Sequence, residues 1–319
     1  MNIIFKPLYQ LFGYCMSFLM GLLSDQYFLA IIIFVVLTRL ILLPFNIKQQ
    51  KTMAKTSRIQ PKIAKIQKKY ANTGNLSQKQ MADNRQKMNE EMQALYTREN
   101  HNPMNMGCGP MLFQMVFLFG IIGIIYYPLQ YVIRITPSEL EILTAAAKKF
   151  MEGKVTYPEL TILSKFNEIK AVVGDKISAE TMAHIGTYAK GMTIGNFDLT
   201  QFPKLKLEPL VLVPVGSFIT SFLSSLYSTM AQKKNNPAME QNGQMTMMML
   251  MMPFFSLYIA FKVPAAVGIY WIISNVVTTI QQIVLNQLYP TKKITAMSMI
   301  EGTIERRSKE KSIINSKTK

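Results

Sequence analysis

The chain alternates long apolar runs with polar, basic segments. The first run, Tyr27 to Asn46, reads YFLAIIIFVVLTRLILLPFN, about 20 residues, which is what a helix needs to cross a hydrocarbon core of roughly 30 Å. Comparable runs recur over 106–131, 209–230, 245–261 and 266–289, and each predicts a spanning helix. Between the first two runs, Ile59, Ile63, Ile66 and Tyr70 form a narrow stripe on one basic helix, and Met81, Met88, Met92 and Leu95 form another on a second. Ser77-Gln78-Lys79-Gln80 fits a capping box at the start of that second helix. The pair predicts an antiparallel helical hairpin with little apolar surface to bury. Residues 132–208 predict a small helical insertion, with helix starts at Thr136-Pro137, Thr156-Tyr157-Pro158-Glu159 and Ser178. Ahead of the first run, residues 3–23 place Ile4, Leu8, Leu11, Cys15, Phe18 and Leu22 on one face and Lys6, Gln10, Tyr14 and Ser17 on another. That pattern predicts an amphipathic helix lying in the membrane interface, with a spanning helix as the alternative. Leu22-Leu23-Ser24-Asp25 offers no small-x-small cleavage pattern, and bulky Tyr14 before Cys15 does not suit a lipoprotein site.

Charge orients these elements. The chain has 319 residues, 49% of them hydrophobic, and a net charge of +17. It is too apolar for a soluble basic protein, and no zinc-finger spacing or RNA-binding aromatic signature accompanies the basic residues. Instead they gather beside the apolar runs. Residues 47–105 carry 12 Lys or Arg against 4 Asp or Glu, whereas 132–208 carry 10 against 9. Together 47–105, 231–244 and 290–319 hold 22 basic and 8 acidic residues, which places them on the cytoplasmic side. The expected fold is an all-α polytopic membrane protein with five transmembrane helices and an outer amino terminus and inner tail. In order these are the interfacial helix (1–26), the first span (27–46), the cytoplasmic hairpin (47–105), the second span (106–131) and the extracytoplasmic insertion (132–208). The third span (209–230), a cytoplasmic loop (231–244), the fourth span (245–261), the fifth span (266–289) and a basic tail (290–319) follow.

The spans contain no Asp or Glu, and Arg39 is the one charge well inside them. A guanidinium at that depth costs at least about 2.5–3.5 kcal/mol on insertion scales. It either snorkels to the nearer headgroups or faces a wet cavity within the bundle. The lack of intramembrane carboxylates disfavours a proton- or sodium-coupled transporter. The two histidines, His101 and His184, lie apart from any serine or cysteine of a span, which disfavours an intramembrane protease. No phosphate-binding glycine loop is present, so nucleotide hydrolysis is not expected. Cys15 and Cys108 do not suggest a disulfide framework, and no metal or cofactor is implied. Met247, Met248, Met249, Met251 and Met252 suit either an adaptable apolar surface or plain lipid-facing packing. What remains is one positive charge, neutral polar residues such as Ser217, Thr220, Ser224, Ser274, Asn275, Gln281 and Gln282 within the spans, and a basic inner face.

Several of these stretches carry a resemblance. Arg39-Leu40-Ile41-Leu42-Leu43-Pro44 with Ile47-Lys48-Gln49-Gln50, then Gln60-Pro61-Lys62-Ile63, then Asn102-Pro103 leading to Gly107-Cys108, Pro110 and Gln114, closely resembles the YidC membrane-protein insertases. Pro264-Ala265-Ala266-Val267-Gly268-Ile269-Tyr270-Trp271, with Ser274-Asn275 and Gln281-Gln282, is similar to that family's last span. The form is similar to the shorter one typical of Gram-positive bacteria. The resemblance implies a multi-pass protein of the bacterial plasma membrane that inserts and helps fold other membrane proteins without hydrolysing nucleotide. It implies a polar groove open to cytoplasm and lipid, with Arg39 as its charge and Gln114, Trp271, Ser224, Ser274 and Gln281 as substrate-contact candidates. Nascent membrane proteins are the implied substrates, with the ribosome and the Sec translocon as further partners. Apart from the resemblance, the tail's 8 basic against 3 acidic residues make Lys292, Lys293, Arg306, Arg307, Lys309 and Lys311 candidate ribosome contacts, with a plain topology anchor as the alternative. Val116 after Gln114-Met115, Ser224 where a glutamine is common, and the long 132–208 segment depart from the family pattern. Two other classes stay open: a polar-lined channel or transporter, and an assembly chaperone that binds membrane proteins without inserting them.

Overall fold

The computed structural model describes residues 2–71, 78–99, 108–151, 157–206, 208–235 and 243–294, with short stretches as far as Ser308. The expected capping box at Ser77 lies outside the described residues. Among them the chain is almost wholly helical and divides into two compact units: Met1–Ile41, Phe113–Ser225 and Leu250–Thr278 form one, and Leu42–Leu112, Leu226–Met249 and Thr279–Lys319 the other.

The first unit holds α1 (Asn2–Leu22) and α2 (Tyr27–Ile41), most of α5 (Cys108–Tyr126), and the short helices α6 (Pro137–Ala147), α7 (Pro158–Ser164), α8 (Phe166–Val173) and α9 (Ala179–Gly191). It also takes in the first part of α10 (Leu212–Asn235), most of α11 (Gly243–Ala260) and the first part of α12 (Ala265–Leu288). On α2 the buried residues are Tyr27, Ala30, Ile31, Phe34 and Val35, the three-and-four spacing of one helix face. Val36, Leu37, Leu40 and Ile41 are exposed on the other side.

Helix α1 corrects the expected amphipathic face. Its buried side is Tyr9, Phe12, Met16, Leu19 and Met20, while Leu11, Phe18, Leu22 and Cys15 are exposed. The inward side is packed by rings: Phe12 lies 5.3 Å from both Phe34 and Phe117, and Tyr9 lies 5.3 Å from Tyr131, ring centre to ring centre. A Cβ on Gly13 would stand 2.1 Å from the Tyr131 carbonyl oxygen, so only glycine permits this approach. The helix is apolar on both sides, which suits protein on one and lipid on the other.

After α5 and Pro128, a single π-helical turn runs from Leu129 to Ile133. Thr136 then opens α6 with a complete capping box to Glu139, and Ser178 caps α9 through the Thr181 amide, each satisfying a helix-start donor. A two-stranded antiparallel ribbon, β1 (Thr193–Ile194) with β2 (Phe197–Asp198), turns at Gly195 with φ +56°. This ribbon departs from the helical insertion expected over 132–208. The amides of Ala265 and Ala266 donate to the carbonyls of Gln201 and Leu199, both at 2.9 Å, tying the start of α12 to the end of the insertion.

The second unit contains the hairpin of α3 (Leu43–Ala71) and α4 (Gln78–Arg98). The expected stripe is visible: Ile59, Ile63 and Leu95 are buried together, with Ile66 and Tyr96 against them, while Met81 is exposed. Lys62 donates to Glu99 at 2.5 Å, and both Lys69 and Tyr70 donate to Glu91. The core is small, so these helices open more readily than a packed bundle. The run expected as one straight span over 27–46 is interrupted at Leu42, and α3 continues from Leu43; Pro44 has no amide to donate to the Leu40 carbonyl, so the helical ladder is cut there.

Candidate functional site

Arg39 sits four residues beyond Val35 and eight beyond Ile31, on the face of α2 that is buried. The helix geometry therefore directs it toward the protein side of α2. Its Nη2 donates to the Ser274 hydroxyl at 2.8 Å. Ser274 is buried, one turn after buried Tyr270 on α12. Tyr270, Ser274 and Thr278 recur every four residues along one side of the helix, and the Thr278 hydroxyl donates back to the Ser274 carbonyl at 2.5 Å.

A second polar seam of the same unit joins α12 to α10. The Asn275 side-chain amide donates to the Thr220 hydroxyl at 3.4 Å, and that hydroxyl donates to the carbonyls of Gly216 and Ser217. Ser224 lies half-buried one turn further along α10, and Trp271 is half-buried against the apolar core of the unit. The structure thus brings Arg39 and Ser274 into direct contact, with Trp271 on the same helix as Ser274 and Ser224 on α10.

Gln281 belongs to the other unit, where its Oε1 accepts from the Asn46 amide at 3.4 Å. That unit continues the theme: Gln50 donates to Asn286 at 2.6 Å, Asn286 to the Tyr227 hydroxyl at 3.2 Å, and Gln282 to Ser228 at 3.2 Å. Asn46, Gln50, Asn286 and Tyr227 were not singled out from sequence as site residues. Their signal was available, since Asn46 and Gln50 stand four apart on one helix, but an isolated amide at a helix end looks the same as a solvated one. The side chain of Gln114 lies outside the described residues, although its backbone is helical within α5. Lys292, Lys293 and Arg307 are exposed, and Arg306, Lys309 and Lys311 lie outside the described residues. Among the described residues no cluster of three or more His, Cys, Asp or Glu is arranged to hold a metal.

Among the described residues two helices, Pro209–Lys234 and Ala265–Leu288, are long and apolar enough to cross a membrane alone. α2 with the start of α3 passes only as a bent pair, and Met115–Tyr126 and Met249–Ala260 are shorter apolar helices. A family model described as 60Kd inner membrane protein matches residues 18–293. The chain belongs to that family. It is a multi-pass, all-α protein of the bacterial plasma membrane. Among its relatives, the membrane protein insertase YidC 1 of Listeria monocytogenes is 28% identical over 272 residues, covering 85% of this chain and 68% of the relative. The membrane protein insertase MisCB of Bacillus subtilis is 27% identical over 282 residues, covering 86% and 77%. A shorter match, 39% over 129 residues, joins the chain to the membrane protein insertase YidC of Clostridium perfringens, covering 38% and 49%.

Proposed function

We propose that the protein inserts other membrane proteins through a hydrated, positively charged groove that reaches part-way into the bilayer, without hydrolysing nucleotide. The observation that carries the reading is the Arg39 guanidinium on the inward face of α2, donating to buried Ser274. A cation placed against a hydroxyl is one whose solvation the protein has arranged, as expected of an intramembrane charge with a function. The names of the relatives support the same activity.

In this reading five spans, the amino terminus outside and the tail inside, carry the groove, with the domain boundaries set by the apolar runs. A groove entering from the cytoplasm shortens the apolar distance that a substrate's polar flank must cross. Arg39 offers that flank a transient partner. At 4 Å one charge pair is worth about 4 kcal/mol at an effective dielectric near 20, before desolvation is subtracted. Gln114, Trp271, Ser224, Ser274 and Gln281 supply neutral contacts along the path, and the substrate's own apolar helix then partitions into lipid. The basic tail, from Lys292 onward, offers a surface for the ribosome, and the Sec translocon is a further partner of the same pathway.

The test is insertion of a nascent single-span substrate with an acidic outer tail into liposomes holding the purified protein alone. Arg39→Ala should abolish insertion and Arg39→Lys should retain much of it. Equal activity in all three proteins would refute the groove charge. Single-channel conductance of the wild type would favour a channel.

A further inference from the structure

The exposed side of α1 and the end of the π-helical turn form a groove that the insertion reading does not use. Tyr14, Ser17, Phe18, Gly21, Leu22 and Arg134 line a shallow, open depression of about 520 Å³ on the surface. One side is apolar: Phe18 is 72% and Leu22 69% exposed, and Gly21 leaves open space, with nothing within 4 Å of where a Cβ would stand. From Tyr14 to Leu22 this strip runs about 12 Å along the helix.

The other end is cationic and oriented. Arg134 closes the π-helical turn in the left-handed region, φ +61°, with its amide donating to the Leu129 carbonyl. Its guanidinium carbon stands 4.4 Å from the centre of the Tyr14 ring, a cation–π contact that holds the group at the mouth of the groove. No carboxylate of the described residues pairs with it, so the planar donors of the guanidinium stay available to an anion. A forked donor suits phosphate oxygens, and a bare apolar strip beside it in a membrane protein suits an acyl chain.

We infer that this groove binds one anionic phospholipid, its headgroup phosphate on Arg134 and an acyl chain along Gly21, Phe18 and Leu22. The charge of Arg134 selects the headgroup, and the glycine floor admits the chain.

The full-length protein is reconstituted into phosphatidylcholine vesicles with a trace of photoactivatable phosphatidylglycerol, or of photoactivatable phosphatidylcholine with the same chains. Labelled peptides are then mapped by mass spectrometry. The phosphatidylglycerol probe should label residues 14–22 about fivefold more than the phosphatidylcholine probe, the increment of one basic residue near an anionic headgroup. Arg134→Gln should remove that preference, Arg134→Lys should keep most of it, and Gly21→Leu should lower labelling by both probes. Equal labelling by the two probes in the wild type, or a preference that survives Arg134→Gln, would make this ordinary annular lipid and overturn the assignment. Arg134 is exposed, so unchanged thermal unfolding of the Gln variant separates lost binding from lost fold.

Discussion

Glu159 is the one carboxylate of the described residues that is buried, only 4% exposed, and its protonation should set how firmly the insertion grips the end of α5. Pro128, at the start of the π-helical turn, provides no side-chain cap, so the amides of Leu129 and Gln130 need an outside acceptor. Glu159 Oε2 accepts both, at 2.7 and 3.1 Å. Burial pushes its carboxyl up from 4.5 to about 7, against the opposing pull of those two amides. Tyr131 and Tyr188 are the titratable groups that face it.

A carboxyl whose folded value is raised contributes stability that is full below the unfolded value and lost as pH rises through the folded one. The window is therefore 4.5 to about 7, and between about pH 5.5 and pH 8 the loss is about 2 kcal/mol. Hydrogen–deuterium exchange reads it locally. After correction for intrinsic exchange rates, protection of the Leu129–Ile133 amides should fall about thirtyfold over that range. Glu159→Gln keeps an acceptor oxygen and cannot ionise, so its protection should be flat. A flat wild-type profile, or the same slope in the Gln variant, would refute the linkage.

Three further outcomes follow from particular contacts. Removing the Ser274 hydroxyl with Ser274→Ala deletes a hydrogen bond to a charged group, worth about 1.5–3 kcal/mol when nothing replaces it. In a wet groove water replaces it, so insertion should fall only a few-fold, and a loss as deep as that of Arg39→Ala would argue for a dry, sealed charge. Gly13→Ala drives a methyl into the Tyr131 carbonyl and should lower stability by about 1–3 kcal/mol, seen as a lower unfolding temperature in detergent. Gly21→Ala, with open space around it, should not. Deleting residues 295–319 should weaken ribosome co-sedimentation and flatten its salt dependence; unchanged co-sedimentation would leave the tail a topology anchor.

Much was legible in the chain alone because a bilayer enforces it. Apolar length marks candidate spans, and clustered Lys and Arg suggest which segments stay inside, since solvation of a helix or a cation in lipid depends on composition more than on neighbours. The hairpin stripe of Ile59, Ile63 and Leu95 was readable for the same reason: a helix with so few apolar residues has only one way to bury them. Arg39 was visible as a charge that lipid does not tolerate.

Tertiary packing decided the rest. α1 is apolar on two sides, so its periodicity could not say which side meets protein; Gly13 against Tyr131 chose Tyr9, Phe12 and Met16. Arg39 found Ser274 across 235 positions of sequence, and Glu159 found two amides that Pro128 left uncapped. A polar group's partner depends on which backbone arrives beside it, which residue type and spacing along one helix do not encode.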